Sequence, residues 1–144
     1  MNVSQNCVEL IKYFEGFEDT AYLCPANVWT IGYGRTRNVK EGDRITEAQA
    51  ERDLLEELEE FKHQVLHSVK VELTQNELDA LTSWTYNLGV GNLKSSTLLK
   101  KLNAGSKDEV PAEMLRWNKA GGKVLAGLTK RREAEAELWA KEVV

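Results

Sequence analysis

Between Glu15 and Thr36 the chain reads EGFEDTAYLCPANVWTIGYGRT, and across this stretch the spacing of apolar residues changes from a helical repeat to a strand-like one. Upstream, Cys7, Leu10, Ile11 and Phe14 fall at i, i+3, i+4 and i+7, one face of a helix that Ser4 can cap and Gly16 can end. Downstream, TAYLC and VWTIGYG are rich in β-branched and aromatic residues, with Pro25-Ala26-Asn27 between them as a turn. This predicts a hairpin, followed by a short third strand around Arg37 to Val39. After Thr46 the helical spacing returns. The pattern as a whole predicts an α+β chain, mostly helical, with one small β-hairpin lobe.

The helical remainder carries its own start and stop signals. Thr46 with Gln49 opens a long helix in which Ala50, Leu54, Leu58, Phe61 and Val65 keep helical spacing to about His67. Thr74 with Glu77 is a second capping box, and Leu78, Leu81, Thr85 and Leu88 form a stripe that Gly89 ends. Ser95 or Ser96 begins a helix through Leu98, Leu99 and Leu102, stopped by Gly105. Ser106 with Glu109 signals another through Met114 and Trp117. Gly121-Gly122 breaks the chain before a last helix, in which Ala134 and Leu138 are expected to face inward. No internal repeat or linker interrupts the chain, so residues 1–144 read as one domain. Within it residues 15–45 form the small β lobe, 46–68 a connecting helix, and 1–14 with 69–144 a helical lobe.

Composition narrows the class. A chain of 144 residues buries roughly 70% of the surface its unfolded form exposes, so folding does not require disulfides. Cys7 and Cys24 stand in no metal-ligand spacing, and two free thiols are expected. His63 and His67 at i, i+4 lack a third ligand, so neither a metal nor a cofactor is expected. The net charge of −4 and pI near 5.3 argue against nucleic-acid binding. Charge is nonetheless uneven. Residues 41–60 hold nine acids against two bases, and residues 94–144 hold eleven bases against seven acids. Such a basic half can orient a protein toward an anionic polymer, and equally it can be a solvated helix face. No run of about 18 apolar residues and no signal-peptide pattern is present, so stable membrane insertion is not expected and the chain reads as a soluble monomer made in the cytosol.

Chemistry concentrates in the opening stretch. Glu15 would sit in the last turn of the first helix, where the negative end of the helix dipole disfavours an ionised carboxylate. A partly dehydrated cleft would act in the same direction, as a general acid requires. The hairpin would lift Cys24 and Thr30 onto one small sheet beside it. Gly32 and Gly34 permit close backbone approach, useful where a polymer lies against the sheet, or serve as turn glycines. Trp29 and Tyr33 flank Thr30 and are candidates to face a ligand, with at least one directed to the core by strand alternation.

The spacing of Glu15, Cys24 and Thr30, E-x8-C-x5-T with GYG just beyond, resembles the phage lysozymes or endolysins of glycoside hydrolase family 24. Two further segments share the resemblance: ALTSWTYNLGVGNLKSSTLLKKLNAG, and RWNKAGGKVLAGLTKRREAE with its G-L-x-x-R-R-x-x-E helix start. Together they cover about residues 5 to 142. The resemblance implies a lysozyme-like fold, with Glu15, Cys24 and Thr30 as catalytic residues and Asn87, Gly32, Tyr33 and Arg35 facing substrate. Asn87 matches a position that faces the cleft, and Arg35 stands where relatives commonly have His. Most members carry Asp at the second catalytic position; Cys24 matches a recognised variant, acting as thiolate base, as nucleophile, or leaving the water to Thr30. Arg131 or Arg132 is a candidate to neutralise or orient Glu15.

The implied activity is hydrolysis of the β-1,4 bond between N-acetylmuramic acid and N-acetylglucosamine in bacterial peptidoglycan, with inversion, causing host lysis. The implied route is synthesis in the host cytoplasm and release through the membrane by a separate holin. Two alternatives come from other classes: a non-catalytic peptidoglycan-binding module descended from such an enzyme, and a thiol enzyme pairing Cys24 with His63 or His67. An oxidative bond between Cys7 and Cys24 would block Cys24 outside the cell.

Overall fold

A computed structural model describes residues 1–141. The chain is an α+β protein, mostly helical with small antiparallel hairpins. Helix α1 spans Gln5–Glu15, and Ser4 caps it, its hydroxyl accepting from Asn6 N. Strands β1 (Glu18–Leu23) and β2 (Trp29–Gly32) pair antiparallel, with Tyr22 opposite Thr30 and a bulge between Glu18 and Tyr22. The expected third strand at Arg37 to Val39 is absent. Asn38 takes a positive φ of 58° in a turn there, and the free edge of β1 is met further on, by a bridge between Thr20 and Arg44. Ala21 N donates to Asp43 O and Ile45 N to Asp19 O, each at 2.9 Å.

The long helix α2 (Glu47–Ser68) starts where Thr46 accepts from Gln49 N. It buries Ala50, Leu54, Leu58 and Val65 along one side, while Phe61 is half-buried against Tyr86. Helix α3 (Gln75–Leu88) begins with the complete Thr74–Glu77 capping box, an arrangement that contributes about 1 kcal/mol. It ends at Gly89, whose φ of 94° favours a residue without Cβ.

Three short helices follow: α4 (Val90–Ser95), α5 (Thr97–Asn103) capped by Ser96, and α6 (Val110–Leu115) after a 3₁₀ turn at Lys107–Glu109. Ser106 makes no side-chain cap and α6 stops before Trp117, so both differ from expectation. The Gly121-Gly122 break is the turn of a second hairpin, β3 (Lys119–Ala120) with β4 (Lys123–Val124). The last helix, α7, spans Ala126–Ala140.

Buried apolar side chains form two clusters. The larger gathers Leu78, Leu81 and Trp84 of α3 with Leu98, Leu102, Val110, Met114 and Trp139 around them. The smaller joins Cys7, Val8 and Ile11 of α1 to Tyr33 and to Ala50, Leu54 and Leu58 of α2. Helix α1 is thus shared: its apolar face enters the smaller cluster, while its cap is tied to α3 by Ser4 N donating to Asp79 Oδ1 at 2.8 Å and by the Ser4 hydroxyl donating to Asp79 Oδ2. The inward face of α7 also differs from expectation. Ala134 and Leu138 are half-buried, and the fully covered positions are Arg131, Arg132, Glu135, Ala136 and Trp139. Charged side chains enter this core because they pair with one another there.

Candidate active site

Glu15 is the final residue of α1, and its side chain stays 21% exposed. Arg131 Nη1 lies 2.8 Å from its Oε2. The guanidinium itself is almost fully covered: it reaches Ser83 O at 3.3 Å and Glu135 Oε2 at 3.2 Å, and it stacks over the Phe14 ring at 6.0 Å. Such a cation fixes the carboxyl in one orientation. Gly34 closes on the other oxygen. A Cβ there would stand 2.7 Å from Glu15 Oε1, and φ is +87°, so both space and backbone conformation call for glycine.

Cys24 and Thr30 occupy the two sides of the β1–β2 turn. The turn is closed by Cys24 N donating to Val28 O at 3.0 Å and by Asn27 N donating to Cys24 O at 2.8 Å, with Asn27 at a φ of 60°. The backbone N–H groups of Val28 and then Ala26 point at the sulfur and hold the thiol below its ordinary pKa, with the Thr30 hydroxyl adding to the effect. Thr30 is 5% exposed and donates to Val28 O at 2.9 Å. Its single proton therefore serves either that carbonyl or the sulfur, and its lone pairs remain free to accept.

Tyr22 stands opposite Thr30 in the β1–β2 ladder, two residues before Cys24. Burial raises its phenol pKa, followed by the negative charges of Glu15, Glu18 and Cys24. Glu15 and Cys24 therefore both lie near enough to Tyr22 to disfavour its ionisation. Tyr86 is placed similarly. Its hydroxyl donates to Tyr33 O at 2.8 Å, and burial first, then Glu57 and Glu15, push its ionisation far up.

The remaining expected residues separate. Gly32 is buried, and an added Cβ would meet Ala50 Cβ at 3.1 Å, so its lack of a side chain lets β2 pack closely on α2. Tyr33 is 7% exposed and packs inward, tilted on Phe17 at 5.6 Å with Lys12 Nζ 5.4 Å from its ring centre. The turn after β2 points this ring into the smaller cluster. Arg35 is half-buried, with Nη1 3.2 Å from Asp53 Oδ2 of α2 and Nε donating to Arg37 O. Asn87 Oδ1 accepts from Nη2 of Arg132, the residue after the arginine that holds Glu15, at 2.8 Å. Glu18 and Asp19 are exposed on β1.

Cys7 and Cys24 are both free thiols in different surroundings. Cys7 is fully covered beside Ser83, Asp79 and Glu135, and burial drives its thiol far above the usual range.

Three participants escape a reading by periodicity. Tyr22 is accessible in principle, because it lies in the β-patterned TAYLC segment that carries Cys24. Glu135 lies four and three residues after Arg131 and Arg132, the spacing of helical ion pairs. Ser83 carries no such signal.

Residues 12–135 match the family model described as phage lysozyme. The chain belongs to the phage lysozyme family. Among relatives in this family, the endolysin of Bacillus phage B103 is 46% identical over 142 residues, covering 96% of this chain and 54% of that protein. The chain thus spans about half the length of that relative. The endolysin of Acyrthosiphon pisum secondary endosymbiont phage 1 is 44% identical over 143 residues, covering 96% of this chain and 98% of its own. Among solved phage lysozyme relatives, the endolysin from Escherichia coli O157:H7 phage FAHEc1 superposes with a TM-score of 0.88 at 41% identity, over 99% of this chain and 96% of that one. The muramidase domain of SpmX from Asticaccaulis excentricus gives 0.91 at 36% identity, over 98% and 99%.

Proposed function

We propose that this chain is an endolysin muramidase, a glycoside hydrolase that cuts the β-1,4 bond between N-acetylmuramic acid and N-acetylglucosamine in bacterial peptidoglycan and so lyses the host. The observation that carries this reading is the carboxyl of Glu15 at the end of α1, oriented by Arg131 at 2.8 Å, in a chain whose β1–β2 turn lowers the pKa of the Cys24 thiol. Family membership over residues 12–135 and the muramidase named among the structural relatives support it.

In this reading Glu15 gives its proton to the glycosidic oxygen as the C1–O bond breaks. A water bound to the Thr30 oxygen attacks C1 from the opposite face and passes its proton to the Cys24 sulfur. The products are one glycan end with a new reducing sugar and one with a free 4-hydroxyl, and C1 is inverted. Asn87, steadied by Arg132, contacts the sugar chain. Arg35, anchored on Asp53, lines the wall next to it. No metal or cofactor enters these steps. The protein acts as a monomer on the wall, and passage there from the host cytoplasm falls to a separately encoded holin. No helix among the described residues is long and apolar enough to cross a membrane.

Product analysis tests the reading. Purified peptidoglycan is incubated with the protein, and the soluble fragments are reduced with borohydride and weighed by mass spectrometry. Muramitol at the reducing ends is the expected result. Glucosaminitol ends, or cut peptide stems with intact glycan, would replace the muramidase with a different hydrolase.

A further inference from the structure

Arg131 and Arg132 are consecutive on α7, yet they serve opposite ends of the site. Arg131 reaches Glu15, and Arg132 reaches Asn87 with Nη2 at 2.8 Å and Trp117 O with Nη1 at 3.4 Å. Between them lies one carboxyl, Glu135, which is fully buried. Its Oε2 accepts from Arg131 Nε at 3.2 Å and from the Ser83 hydroxyl at 2.6 Å, while its Oε1 stands 2.8 Å from Arg132 Nε. Burial raises the Glu135 carboxyl pKa, and the two guanidiniums oppose that shift. Burial likewise weakens the hold of Arg132 on its charge.

Three charges taken out of water are costly unless every one has a partner, and hydrophobic side chains of similar size would fill this core at least as well. The larger cluster already supplies such packing next door. Stability alone therefore does not account for a carboxyl here. Geometry does, because a single rigid group with two oxygens can fix two adjacent forks in different directions.

We infer that Glu135 is a positioning residue, whose one buried carboxyl aims Arg131 at the acid and Arg132 at Asn87 and so sets the distance between proton donor and sugar contact. The inference rests on the muramidase reading. Glu135 touches no reacting atom. Arg131 is held through the same oxygen as Ser83, so loosening that oxygen disturbs the acid. Arg132 is ion-paired to the other oxygen, Nε to Oε1 at 2.8 Å, while Nη2 of the same planar fork donates to Asn87; a lysine offers one point charge in place of two separated nitrogens.

The test is steady-state kinetics of reducing-end release from soluble, uncrosslinked glycan strands, with a thermal melt of each variant. Arg132→Lys keeps the charge beside Glu135 but releases Asn87, and KM is expected to rise about tenfold with kcat within about twofold of the parent. Ser83→Ala removes the hydroxyl from the oxygen shared with Arg131, and kcat is expected to fall about fivefold with KM nearly unchanged. Glu135→Gln should change both constants; if it does not fold, the other two variants decide. Lowered melting temperatures with both constants at parental values in Arg132→Lys and Ser83→Ala would overturn the inference and leave Glu135 a folding element. Glu15→Gln is run alongside. If the parent releases no reducing ends, or Glu15→Gln releases them as fast, the muramidase reading itself fails and this inference with it. If Glu15→Gln is inactive while the split is missing, only the role of Glu135 is lost.

Discussion

Glu15 draws its main partner, Arg131, from 116 residues further along the chain, and that partner is seated in a fully buried ion network on α7. Cys24 and Thr30 draw theirs from residues 26 to 30, within a single exposed turn. The acid side is thus a product of tertiary packing, and the hairpin side a product of local backbone geometry. The two sides should fail differently. Damage to the helical core reaches Glu15 through Arg131, whereas the hairpin keeps its N–H groups aimed at the sulfur as long as the turn itself persists.

The sharpest way to break the acid side without touching a charge is Gly34→Ala. The added methyl would lie 2.7 Å from Glu15 Oε1 at a φ of +87°. Displacing a catalytic group by about 1 Å is expected to lower kcat by about 10²-fold, and the forced backbone costs about 1–3 kcal/mol of stability. A thermal melt and wall-lysis rates check both, while iodoacetamide labelling of Cys24 should proceed at the parental rate because the hairpin is untouched. Equal lysis by parent and variant would mean that the carboxyl has room the structure does not give it.

A smaller effect sharpens the hairpin side. Labelling depends on thiolate, and the Val28 and Ala26 N–H groups stabilise that form at Cys24. Its pKa lies below the ordinary thiol value, so labelling should rise with pH to a midpoint below that of a free cysteine. Cys7, covered and shifted upward by burial, should label only on unfolding. Peptide mapping after labelling at a series of pH values reads both thiols at once. Lysis should decline in step with labelling of Cys24.

What was legible in the chain follows the same division. Local signals read well: Ser4 before α1, the Thr74–Glu77 capping box, Gly89 after α3, and the hairpin around Pro25 to Asn27 all act within a few residues. Signals that depend on distant partners did not. The resemblance singles out Arg131 or Arg132 as a partner of Glu15, but the inward stripe of α7 is expected at Ala134 and Leu138, and only the mutual pairing of Arg131, Arg132 and Glu135 makes the burial of these charges tolerable. Gly34 reads as a turn glycine, since nothing in its neighbourhood reveals a carboxyl from α1 above it. Tyr33 reads as a candidate to face a sugar until the chain reversal after β2 is seen to turn it inward, and no third strand forms at Arg37 to Val39 because Asn38 turns the chain there, leaving an isolated bridge at Arg44 to meet β1.

The central claim, that Glu15 is the proton donor of a glycosidase, is tested most directly by Glu15→Gln, which keeps the size of the side chain and removes its acid. Reducing-end release from purified walls is compared with the parent, alongside a melt that confirms folding. A folded variant slower by about 10²- to 10⁴-fold is the expected result; a folded variant that lyses walls at the parental rate would contradict the account.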